Sequence, residues 1–128
     1  MIDRNSISIL EKRRAERVLT PPGSTALLKN GPGSFRRTRI IDISLVGMLV
    51  SDFQEKEVLP VNSIINDTLV YIPPYEQINN SAISLLIYKC KVVRSFFNQT
   101  SQTTCYGVEF LKKSYSLNEK IGKLVKNN

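Results

Sequence analysis

The feature that most constrains this chain is a succession of short apolar runs, each closed by a turn signal. Thr25–Lys29 runs into Asn30-Gly31-Pro32-Gly33, a run ending at Ile72 meets Pro73-Pro74, and Asn79-Asn80-Ser81 precedes the next. Gly, Pro and Asn supply the backbone conformations that tight turns need, so these clusters punctuate the chain. Runs this short pair as strands more readily than they bury a helical face. The strands read as Thr25–Lys29, Phe35–Ser44, Met48–Phe53, Val61–Ile72, Ala82–Phe97 and Thr104–Leu111, with a polar hairpin loop from Asn98 to Thr103. Ala82–Phe97 is apolar on both faces in its first half (Ile83, Leu85, Ile87 against Leu86, Tyr88, Cys90), which suggests two-sided burial or a packed partner. Near the end the period changes. Leu117, Ile121, Leu124 and Val125 fall at i, i+4, i+7 and i+8, one face of a helix that Ser114 or Ser116 could cap. About six strands followed by one helix favour a sandwich or small barrel over alternating βαβ units.

At 128 residues the chain is expected to be a single domain, 1–128. Its 41% hydrophobic content is ordinary for a globular chain. No apolar run reaches the roughly 20 residues of a membrane-spanning helix. Met1–Ser6 lacks the basic-then-apolar plan of a secretory signal, so a cytoplasmic location is expected. There is no histidine, which removes the commonest general base and the Ser-His and Cys-His nucleophile pairs. An enzyme is therefore not expected. Cys90 and Cys105 alone are too few for a structural zinc site; free buried thiols are expected, and no metal.

Charge is uneven. Of the net +7, residues 1–41 contribute nine Lys/Arg against Asp3, Glu11 and Glu16, and the rest nearly cancels. That asymmetry points to a local anionic partner. Arg13 and Arg17 are spaced i, i+4, with Lys12 and Arg14 beside them. Guanidinium groups offer paired donors that match phosphate oxygens and read guanine edges. The plainer reading is a solvated basic face with local ion pairs to Glu11 and Glu16.

The second motif is Asp42-Ile43-Ser44-Leu45-Val46-Gly47, between two strands. Strand alternation places Arg36, Thr38, Ile40, Asp42 and Ser44 on one face, and Phe35, Arg37, Arg39, Ile41 and Ile43 on the other. A carboxylate can accept from the N–H edge of guanine, with a serine hydroxyl beside it. The plainer reading is a hairpin in which Asp42 and Ser44 make a side-chain turn and Gly47 supplies a positive φ.

The joint pattern resembles the PilZ family of bacterial cyclic di-GMP receptors. RxxxR at Arg13 and Arg17 is followed, after about 25 residues, by DxSxxG at Asp42, Ser44 and Gly47. Lys91-Val92-Val93-Arg94 and Tyr106-Gly107-Val108-Glu109-Phe110 follow in the family's order, so the resemblance covers roughly residues 10–125. It implies a mainly β fold: a six-stranded antiparallel β-barrel over 24–112, a C-terminal α-helix over 115–127, and a flexible arginine-rich arm over 1–20. It also implies that Arg13, Arg17, Asp42, Ser44 and Gly47 bind cyclic di-GMP, with no other cofactor. The residue before the first motif arginine, Lys12, would bear on whether one ligand or a stacked pair binds. Arg14 and Arg36 are secondary candidates, Arg36 because it shares the alternation face of Asp42. Arg94 is read as an edge-strand charge rather than a site neighbour. The lysines from Lys112 to Lys126 read as the solvated side of the last helix.

The functional expectation is a receptor whose arm changes conformation on binding and which signals through an unidentified protein partner. Two alternatives remain: a PilZ-like adaptor that works without ligand, and a basic nucleic-acid-binding barrel. Nucleic acid is the weaker, since aromatics are only 8% with no tryptophan, and stacking binders rely on aromatics.

Overall fold

The computed structural model describes residues 17–29, 35–53, 57–74, 81–112 and 115–126. Among these residues are nine strands and one helix: β1 (Val18–Leu19), β2 (Thr25–Lys29), β3 (Phe35–Ile43), β4 (Gly47–Asp52), β5 (Ile64–Ile65), β6 (Thr68–Ile72), β7 (Ile83–Ile87), β8 (Cys90–Asn98), β9 (Thr103–Phe110) and α1 (Tyr115–Lys126). All strand pairs are antiparallel, along the open path β5-β8-β9-β4-β3-β2-β6-β7, with β1 added to β3. The expected mainly β fold with a closing helix is present. The six-stranded barrel detail is not borne out: among the described residues the hydrogen-bonded path does not close, and nine strands take part.

Three differences from the sequence reading have physical causes. Val18–Leu19, which none of the expected strands covers, is a short strand because Val18 packs into the core opposite Ile43. Thr68–Ile72 and Ile64–Ile65 separate at Asn66-Asp67 and join different partners, β7 and β8. Ala82–Phe97 breaks at Tyr88-Lys89 into β7 and β8. The break explains its two-sided apolar pattern. Ile83, Leu85 and Ile87 point inward on β7, Leu86 and Tyr88 outward, and after the break Cys90 and Val92 point inward again.

The core is one cluster built from alternate residues of the strands, including Ala26, Leu28, Ile40, Ile43, Val50, Val70, Ile72, Val92 and Val108. Helix α1 caps it with Leu117, Ile121 and Leu124, as the heptad-like spacing predicts. Lys120 on its outer side donates to the Ser84 carbonyl at 3.0 Å, tying the helix to β7. Cys90 and Cys105 are buried free thiols. Cys90 pairs with Phe110 and Cys105 with Phe96, so the two lie roughly 15–20 Å apart along the sheet, far too distant for a disulfide. Burial pushes the Cys90 thiol up to about 11, with a Thr68 hydrogen bond pulling the other way. No helix among the described residues is long and apolar enough to cross a membrane.

Candidate functional site

The outer face of β3 carries the candidate site, and a bulge decides what that face contains. β3 pairs with β4 in register through Ile40↔Val50 but resumes at Asp42↔Leu49, leaving Ile41 as the extra residue. Before the bulge Arg36, Thr38 and Ile40 point inward; after it the inward residue is Ile43. Asp42 therefore leaves the face assigned by simple alternation and joins Arg37 and Arg39 on the outside. An inserted residue moves everything beyond it to the other side of the strand.

The chain just after β1 holds this bulge in place. Thr20 donates from its backbone N to the Ile41 carbonyl at 3.2 Å and from its hydroxyl to the Ile40 carbonyl at 2.7 Å. The carbonyls that a bulge would leave unpaired thus have partners. Pro21-Pro22-Gly23-Ser24 then turns the chain into β2, with Gly23 at φ +92 and the Ser24 N–H returning to the Pro21 carbonyl. Gly at the third position of such a turn takes a conformation other residues avoid.

The same attachment delivers Arg17 to Asp42. Because Val18 pairs with Ile43 and Leu19 with Asp42, the residue before β1 lies beside the Asp42 carboxylate. Arg17 Nη1 donates to Asp42 Oδ1 at 3.3 Å. The Arg17 side chain is 54% exposed and that of Asp42 15% exposed, so the pair sits at the protein surface. The two motifs, 25 residues apart in sequence, meet here. Arg13, Lys12 and Arg14 lie outside the described residues.

Ser44 and Gly47 build the turn beyond Asp42. The Ser44 hydroxyl accepts from the backbone N–H groups of Val46 and Gly47, both at 3.2 Å, and its own N–H donates to the Gly47 carbonyl at 2.8 Å. Ser44 is only 1% exposed, so its oxygen shapes the β3–β4 turn from within. Gly47 does not have the positive φ that a hairpin turn suggested; among the described residues only Gly23, Asn62 and Gln102 do. It is glycine for a steric reason. A Cβ there would enter the van der Waals envelope of the Val108 carbonyl oxygen on β9. Close approach lets the turn lie flat against β9, where the Phe110 N–H donates to the Val46 carbonyl at 2.8 Å.

Arg36 is not part of this surface. It is buried with Asp52 inside the fold, Nη1 to Oδ2 at 3.0 Å, each side chain 2% exposed. It also reaches the Tyr106 hydroxyl at 3.4 Å and the Glu57 carbonyl at 2.7 Å. The inward face before the bulge claims it for structure and removes it from the ligand candidates.

Across the sheet, one row of paired residues runs Leu19, Asp42, Leu49, Gly107, Arg94. Arg94 lies with its aliphatic stem over Gly107 and its guanidinium 5.3 Å from the Phe96 ring centroid. Beyond Val92, β8 has no second strand among the described residues, so the edge-strand reading of Arg94 holds. Sequence reasoning missed Thr20 and the outward placement of Arg37 and Arg39. The doublet Ile40-Ile41, which breaks apolar/polar alternation just before Asp42, is the signal that could have revealed the bulge.

Among the described residues no group of His, Cys, Asp and Glu side chains could hold a metal ion. No protein-family model matches the chain, and no curated protein matches it in sequence. Solved structures do. The chain is similar to the PilZ domain with c-di-GMP of YcgR from Escherichia coli, with 17% identity, TM-score 0.61, and coverage of 90% of this chain and 89% of that one. It is also similar to YcgR in complex with c-di-GMP from the same organism, with 17% identity, TM-score 0.68, and coverage of 90% and 45%. The Bacillus subtilis inhibitor of motility, MotI/DgrA, matches with 15% identity, TM-score 0.67, and coverage of 89% and 50%. The chain thus spans about half the length of the latter two. Its fold is that of a PilZ domain.

Proposed function

We propose that this protein is a cyclic di-GMP receptor that performs no chemistry on its ligand. The observation that carries the reading is the exposed Arg17–Asp42 ion pair, which joins the two motif stretches on one outer face. Structural likeness to PilZ domains in complex with c-di-GMP supports it. A surface pair of this kind is worth about 0–1 kcal/mol, so both partners are cheaply exchanged. A ligand presenting a guanine edge and a phosphate takes both: the guanine N–H donors go to the Asp42 carboxylate, and Arg17, with Arg13, turns to phosphate oxygens. Ser44 and Gly47 act on Asp42 by holding the turn that presents it. Lys12 and Arg14 add positive charge to the arm.

Since Arg17 is joined through β1 to the bulge, ligand capture changes how the arm lies on the sheet. The ligand favours the closed arrangement to the extent that it binds it more tightly. A protein partner then reads the altered surface. One face suits such a partner: Leu86 on β7 pairs with Leu69 on β6, Leu69 with Leu27 on β2, and Tyr71 and Tyr88 flank the row. Leu86, Leu69, Tyr71 and Tyr88 are 38–58% exposed. That apolar ladder also favours the ligand-free adaptor as the second reading.

Calorimetry with cyclic di-GMP separates the two. Wild type is expected to release binding heat, and Arg13→Ala, Arg17→Ala and Asp42→Ala to abolish or strongly weaken it. No heat with wild type, or unaltered affinity in all three variants, rejects the receptor reading and leaves the adaptor.

A further inference from the structure

The outer face of β3 holds a second cationic feature that the Arg17–Asp42 pair does not use. Arg37 and Arg39 are both exposed there, two residues apart and so about 7 Å from each other along the strand. Among the described residues, neither has a carboxylate within ion-pairing distance, whereas Arg17, Lys29 and Arg36 each do. Two like charges held side by side on a rigid strand repel, and a bound anion relieves that repulsion. They line a groove of about 400 Å³ together with Gly23, Thr25, Thr38 and Phe53. That volume lies within the range of small-ligand sites.

Phe53 gives the groove its chemical character. Ser51 pairs with Arg39, so continuing the β3–β4 register past Asp52 brings Phe53 beside Arg37. Phe53 is 61% exposed, so its ring is open to a stacking partner. A phosphate oxygen fork for two guanidiniums beside an open aromatic face is the combination that takes a base and its phosphate together. Arg37 and Arg39 lie before the bulge at Ile41, where regular alternation sets them outward, and the bulge then turns Asp42 to the same outer face.

We infer that Arg37, Arg39 and Phe53 form a nucleoside-phosphate subsite, the arginines holding the phosphate and Phe53 stacking on the base. The subsite goes beyond the Asp42 reading and does not depend on it. Its occupant is a nucleotide or one half of a dinucleotide. Inorganic anions lack the stacking partner.

The test is a ¹⁵N NMR titration of the full chain with guanosine monophosphate, inorganic phosphate and cyclic di-GMP in turn. With guanosine monophosphate, the amides of Gly23, Thr25, Arg39 and Phe53 are expected to shift and the base proton H8 to move upfield. The double substitution Arg37→Gln/Arg39→Gln should weaken this at least tenfold, and Phe53→Ala should remove the H8 displacement while a residual phosphate response persists. Equal shifts from inorganic phosphate at the same concentration, no response at these amides, or an undiminished response in Arg37→Gln/Arg39→Gln each overturn the proposal. Asp42→Ala keeps the two readings apart. It should erase the cyclic di-GMP response at Leu45–Gly47 and spare the guanosine monophosphate response at Gly23 and Phe53. Failure of cyclic di-GMP to shift Leu45–Gly47 in wild type counts against the Asp42 site alone.

Discussion

Two arginine–aspartate pairs lie on opposite sides of β3, and they differ in nearly everything except their chemistry. Arg36–Asp52 is dry, at 3.0 Å with both side chains 2% exposed, and Tyr106 and the Glu57 carbonyl take further donors of the guanidinium. Arg17–Asp42 is wet, at 3.3 Å, with its arginine more than half exposed and a single hydrogen bond between the partners. A buried pair is a commitment: desolvation makes either charge alone very costly, so neither partner is free to leave. A surface pair contributes little and can be opened by any ligand that offers each partner something comparable. The first organises the interior where β3, β4 and β9 meet the Glu57–Leu59 segment, since Tyr106 also accepts from the Leu59 N–H. The second is suited to exchange. Identity of the residues does not tell these roles apart; their side of the strand does.

This contrast can be broken by substitution. The largest effect is expected from Asp52→Ala, which strands the buried Arg36 charge and should lower unfolding free energy by about 3–5 kcal/mol in urea denaturation. Next comes Gly47→Ala. Its added methyl meets backbone of β9 and not a movable side chain, so about 1–3 kcal/mol is expected by the same measurement. Ser44→Ala removes the acceptor for the Val46 and Gly47 N–H groups and should lose about 1–2 kcal/mol. Cyclic di-GMP affinity should fall with it if Ser44 presents Asp42. The smallest stability effect belongs to Asp42→Ala, within about 1 kcal/mol of wild type, although it should have the largest effect on binding heat. An Asp42→Ala protein as unstable as Asp52→Ala would show that the surface pair is structural after all.

Much of the fold was legible because local chemistry and tertiary structure agree. Pro73-Pro74 stops the strand before it wherever it sits, since the missing N–H and fixed φ act locally. Leu117, Ile121 and Leu124 read as a helix face because one period serves one core. The break at Tyr88-Lys89 was hidden, because apolar residues on both sides of it look like one longer strand. That Asp42 does not share the face of Arg36 was hidden for a sharper reason. Alternation was the right rule up to Ile40, and a single extra residue reversed it.

The sequence by itself determined the ingredients: strand-length apolar runs, a terminal amphipathic helix, an arginine-rich beginning, and an acid, a hydroxyl and a glycine at one turn. These follow from backbone propensity and side-chain period, which act over a few residues. Only the tertiary structure decided that β1 carries Arg17 to Asp42, that Thr20 holds the bulge, and that Arg37 and Arg39 face outward while Arg36 is sealed within. It also decided why Gly47 is glycine, through the proximity of Val108 on a strand sixty residues away in sequence. Such outcomes depend on register between distant segments, and register is settled when the core packs.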